Sequence, residues 1–89
     1  MSPRVFKDGE FIFWFHSFDA LNEQRASVHV GKGTQNDGID AKIWLEPRVE
    51  VARAGRALSK SELSQVLRIT ETNRERLLEA WYAHRGGGR

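Results

Sequence analysis

Apolar and polar positions alternate over Phe11–His16, so that Phe11, Phe13 and Phe15 share one face of a strand while Ile12, Trp14 and His16 share the other. Asp8-Gly9, just upstream, is a preferred pair for a two-residue turn, and "RVFKDGEFIFWFHSF" therefore predicts a hairpin. The polar, irregular "SFDALNEQRA" predicts a loop, and "SVHVGK" a third strand with Val28 and Val30 inward and His29 outward. After the turn formers of "GTQNDG", the alternation resumes in "IDAKIWLE". Ile39, Ala41, Ile43 and Leu45 face inward there; Asp40, Lys42, Trp44 and Glu46 face outward. Pro47 ends that strand or leaves it on an edge, and "RVEVARAGRA" has room for a short fifth strand near Val49 to Ala52.

The period then changes from two to that of a helix. Ser59-Lys60-Ser61-Glu62 is a capping box, with Leu58 and Leu63 placed for a hydrophobic staple. Leu63, Val66, Leu67, Thr70, Leu77, Leu78 and Trp81 form one apolar stripe with a polar interruption at Asn73 and Arg74. His84 and Arg85 place positive charge at the negative end of the helix dipole, and Gly86 suits a left-handed cap. The pattern predicts a two-layer α+β domain over residues 1–85. An antiparallel sheet of about four strands, hairpin first, lies on one long C-terminal helix, and residues 86–89 form a flexible tail.

An 89-residue chain holds one domain and one modest core. No apolar run reaches the roughly 18–20 residues of a membrane span. The first residues lack the apolar centre of a signal peptide, so a cytoplasmic protein is expected. With no cysteine, disulfides, thiolate metal sites and cysteine nucleophiles are excluded. The net charge of +2 arises from 14 cations against 12 anions, so any electrostatic role depends on where the cations lie.

The arrangement leaves one sheet face uncovered by the helix, carrying Ile12, Trp14, His16, His29, Lys42 and Trp44. Two tryptophans there need a reason, because large exposed apolar patches mark interaction surfaces. The long loop or N-terminal segment covers them; or a protein partner or second copy docks on them; or their rings stack on bases while Lys32, Lys42 and arginines hold phosphates. Arg48, Arg53 and Arg56 add a basic loop beside the helix start.

His29 and His16 are also candidates for an acid–base pair in phosphodiester cleavage, with Lys42 or a loop arginine stabilising the developing charge. A metal site would need a third ligand such as Asp19 or Glu23 from the loop, and neither metal nor cofactor is expected. "GKG" lacks the spacing and following helix of a phosphate-binding loop.

The phenylalanine-rich hairpin, "VHVGKG", "AKIWLEP", "LSKSEL" and "NRERLLEAW", in that order, resemble a prokaryotic family known as domain of unknown function 4160, from about Arg4 to Trp81. Members typically carry Pro-Pro-His-x-His-Val ahead of x-Lys-Gly and are often encoded beside another small protein, an arrangement that suggests toxin–antitoxin components. His29, Val30 and Gly33 match that motif, and Lys42, Trp44 and Glu46-Pro47 the later strand. Arg25 and Ala26 stand where the prolines would be, and Ser27 where the first histidine would be, which leaves the paired-histidine site incomplete unless His16 replaces it. The resemblance implies a small binding module of a toxin–antitoxin-like or mobile-element system, acting through the open face and the loop from Asp19 to Ala26. Its partner is the product of an adjacent gene, a second copy or a nucleic acid. The competing expectations are a metal-independent ribonuclease using His29 with a basic residue, and a sheet-based nucleic-acid-binding protein.

Overall fold

The computed structural model of the chain describes residues 4–16, 25–36 and 38–87. Five strands, β1 (Arg4–Asp8), β2 (Phe11–Trp14), β3 (Ser27–Lys32), β4 (Ala41–Trp44) and β5 (Glu50–Arg53), precede two helices, α1 (Lys60–Thr72) and α2 (Arg74–Gly87). The strands form one antiparallel sheet in chain order. The α+β class is as expected; the sheet has five strands where about four were expected, and the single long helix is two.

The helix divides where its sequence turns polar. Thr70 and Thr72 hydroxyls donate back to the carbonyls of Val66 and Arg68, and the Asn73 side-chain amide donates to the Ile69 carbonyl. Such bonds compete with the helical ladder. Asn73 closes α1 with φ −104° and ψ 13°, and its carbonyl accepts from the Leu77 amide inside α2. The start of α1 is as its sequence predicts: the Glu62 amide donates to Ser59 Oγ at 3.2 Å, and the Ser59 amide to Glu62 Oε1 at 2.8 Å.

Phe11, Phe13, Phe15, Val28, Val30, Ile43 and Leu45 from the sheet meet Val66, Leu77 and Trp81 from the helices in one apolar core. Fully burying a side chain the size of Phe13 contributes about 1.5–3 kcal/mol. The end of β4 is fastened to α2, with Arg74 donating to the Leu45 carbonyl at 2.6 Å and the Tyr82 hydroxyl to Glu46 at 2.7 Å. The Glu46-Pro47 segment thus joins sheet to helix. Its carboxylate, as hydrogen-bond acceptor, holds the Tyr82 hydroxyl pKa above its ordinary value.

Three expectations need correction. The hairpin turn is Gly9-Glu10, with Gly9 at φ +59°, one residue later than Asp8-Gly9, because Asp8 still pairs with Phe11. Gly86 continues α2 instead of adopting a left-handed cap, so residues 86 and 87 belong to the helix and not to a tail. The second sheet face is not open at its centre: Trp14 is fully buried and Ile12 nearly so.

Candidate functional site

The register builds a row across the sheet. Trp14 on β2 pairs with His29 on β3, His29 with Lys42 on β4, and Lys42 with Arg53 on β5. Residues directly opposite each other in antiparallel strands project to the same face, so these four side chains share the face away from the helices. The expected alternation is therefore correct for Trp14, His29 and Lys42. Lys32 has the other parity and lies on the helix side, where its ammonium meets Glu62 at 2.6 Å. That contact tethers α1 to β3 and removes Lys32 from the expected binding face. It also draws the Glu62 carboxyl down to about 2, first through the Lys32 hydrogen bond and then through the Ser59 amide.

His29 is 5% exposed, contrary to the expectation of an outward imidazole. Its ring stacks on Trp14 at 6.1 Å between centroids. Gly31, two residues along β3, allows this packing: a Cβ there would lie 2.6 Å from the Thr34 carbonyl oxygen and 3.1 Å from the Trp14 ring. His16, half-buried just beyond β2, brings its ring to 5.5 Å from that of His29. The two imidazoles that the sequence offers as a candidate pair are thus neighbours. Ser27, standing in place of the other histidine, is fully buried beside Trp44.

The residue that sequence reasoning missed is Asp40. It was read as an outward polar position, yet it is fully buried, accepts a hydrogen bond from His29 Nδ1, and receives Arg53 Nη2 at 2.8 Å on the same oxygen. Its other oxygen has no hydrogen-bond partner among the described residues. The alternation places Asp40 on the face of Lys42 and Trp44; only the His29–Lys42 register, which the sequence does not carry, sets it diagonally beside His29. The turn after β5 presses on Asp40, with the Arg56 and Ala57 amides donating to the Ile39 carbonyl at 2.8 and 3.0 Å. Gly55 at φ +67° permits that approach, since a Cβ would sit 2.2 Å from the Asp40 carbonyl oxygen.

Chemically, a carboxylate accepting from Nδ1 keeps a proton on that nitrogen and fixes the ring's orientation, so that proton exchange by His29 would run through Nε2. A second imidazole stands at 5.5 Å, and Arg53 offsets the carboxylate charge. No group of three or more His, Cys, Asp or Glu among the described residues could hold a metal ion. Asp19 and Glu23, the loop ligands considered above, lie outside the described residues.

The β4–β5 side is different in character. Trp44, half-buried, lies under two cations, with Arg25 at 4.3 Å and Lys42 at 4.8 Å from its ring centroid. Arg48, before β5, Arg53, at its end, and Arg56, in the turn after it, are exposed. Glu50 offsets part of this charge through Arg25 at 2.5 Å and Arg48 at 3.4 Å, and the Arg25 hydrogen bond holds its carboxyl below the ordinary range. The candidate residues thus divide into a buried histidine–aspartate centre and an accessible cationic margin.

No helix among the described residues is long and apolar enough to cross a membrane. No curated protein and no solved structure gives a significant match to the chain. The family described as domain of unknown function (DUF4160) matches residues 10–82, from the turn before β2 into α2, which includes every element of the site described above. The chain belongs to that family.

Proposed function

We propose that the protein acts by binding, as a small component of a toxin–antitoxin-like or mobile-element system, and that its contact surface is the β4–β5 side of the sheet. The observation that carries this reading is Trp44 held beneath Arg25 and Lys42, with the exposed Arg48, Arg53 and Arg56 in and next to the neighbouring strand β5. A large ring with cations on it supplies contact area and charge together, the combination that dominates interface energetics. Trp14, being buried, plays no direct part. The genetic setting rests on the family resemblance, whose members are often encoded beside a second small protein.

An anionic partner fits better than a second copy of this chain. A two-fold dimer through this surface would set arginines against arginines. The adjacent gene product is therefore the first partner to test, by co-expression and co-purification read out by mass. Loss of the complex in Trp44→Ala supports the assignment; an unchanged complex removes it. An absorbance ratio showing bound nucleic acid that dissociates at raised salt identifies phosphate contacts instead.

A second reading has one observation of its own, the neighbouring rings of His16 and His29, the latter held by Asp40. In a metal-independent ribonuclease His29 accepts the nucleophile's proton, His16 donates to the leaving oxygen, and Lys42 or Arg53 stabilises the phosphate. RNA cleavage lost in His29→Ala and His16→Ala, with folding retained, supports it.

A further inference from the structure

We propose that β5 is a docking edge on which an extended, acidic segment of a partner protein adds as a sixth strand. This rests on the binding reading above and specifies the partner's conformation and charge. β1 and β5 are the two edges of the sheet. On β5, Val51, Ala52 and Arg53 are all exposed, and Val51 is one of only two large hydrophobics exposed among the described residues. Natural sheets protect such edges by covering or charging them, and an uncovered edge is a template for another strand.

The charges here are of one predominant sign. Arg25, Lys42, Arg48 and Arg53 lie on or next to β5 and β4 and face the carboxylates of Asp40 and Glu50, and Arg56 follows, exposed, in the turn after β5. β1, by contrast, mixes Arg4, Lys7 and Asp8. The register sets the pattern of the incoming strand. Glu50 and Arg53 oppose Trp44 and Lys42 on the cationic face, while Val51 opposes Ile43 on the helix side. A strand with carboxylates at every second residue answers Arg53 and its neighbours, and the apolar residues between them cover Val51.

The test is a titration of isotope-labelled protein with a capped peptide of alternating glutamate and valine, followed through backbone amide shifts and amide exchange. The expected result is that shifts and protection concentrate at Val51–Arg53. Peptides N-methylated at alternate residues, in either phase, should include one that binds about tenfold more weakly or worse, because backbone pairing is lost. Combined Arg48→Glu and Arg56→Glu, neither of which contacts the Asp40 carboxylate, should weaken binding by about tenfold or more. Equal binding by both methylated peptides overturns strand addition yet leaves the cationic surface standing as a side-chain site. Absence of binding, or shifts located elsewhere, overturns both. A short single-stranded RNA that shifts the same amides more strongly than the peptide assigns the surface to nucleic acid and also overturns the proposal.

Discussion

His29 and Asp40 meet beneath the sheet face through a hydrogen bond from the imidazole Nδ1 to a fully buried carboxylate oxygen, which Arg53 also reaches at 2.8 Å from the edge strand. One oxygen therefore ties β3, the entry to β4, and β5 together. Breaking a buried charge pair from one side is costly, but the Arg53 side chain is 52% exposed and rehydrates when released. Asp40→Asn is expected to destabilise the fold by about 2–3 kcal/mol and Arg53→Ala by about 1–2 kcal/mol. Because both act on one carboxylate, the double variant should fall short of the sum by about 1 kcal/mol. Urea denaturation of the four proteins measures the cycle, and strict additivity would contradict the shared-oxygen account.

The two glycines beside this centre provide an independent check. Gly31→Ala drives a Cβ against the Thr34 carbonyl, and Gly55→Ala against that of Asp40, in the second case with a positive φ as well. Each is expected to cost more than about 2 kcal/mol, whereas Gly9→Ala, with open space around its Cβ, carries only the left-handed penalty of about 1–2 kcal/mol. Thermal melts that rank Gly9→Ala as the worst of the three would oppose the close packing described.

The Lys32–Glu62 contact predicts an acid limb. The Glu62 pKa is lower in the fold, about 2 against an ordinary 4.5, so its contribution is fully present above 4.5 and is lost as pH falls from there toward about 2. Lys32, raised by the same bond, keeps its contribution below its ordinary 10.5 and loses it as pH rises beyond. Glu62→Gln should flatten the decline of stability between pH 4.5 and about 2. A wild-type and variant pair with parallel profiles there would show that the tether adds nothing.

Much of the architecture was legible because its signals are local. Alternation in Phe11–His16 and in Ala41–Leu45 gave the two faces, and Ser59 with Glu62 wrote the start of α1. The helix break at Asn73 was visible only as an interruption, since back-bonding by Thr70 and Thr72 decides between a bend and a continuous helix. The site was less legible because it depends on register. Lys32 differs from His29 in parity and so faces α1, and Asp40 becomes a partner of His29 only once Lys42 is known to sit opposite. Trp14 looked like an exposed anchor from its face alone; its burial depends on packing against Gly31 and His29 that no periodicity encodes.

The histidine pair yields a separation of roles. His29→Ala removes the partner of a buried carboxylate and is expected to destabilise by about 2–3 kcal/mol, while His16→Ala, half-buried, should cost about 1 kcal/mol or less. If the ribonuclease reading holds, both abolish RNA cleavage at temperatures where both remain folded. Equal cleavage by wild type and His16→Ala would remove His16 from any acid–base role.

On the proposed reading, the cationic margin beside Trp44, and not the buried tryptophan–histidine face, meets a partner. The most direct measurement is titration calorimetry of the adjacent gene product against wild type, Trp44→Ala and Arg48→Glu, each first shown to melt near the wild-type temperature. The account predicts a loss of about 2 kcal/mol or more for Trp44→Ala, and a weaker, salt-sensitive complex for Arg48→Glu. Wild-type affinity in both folded variants would contradict it.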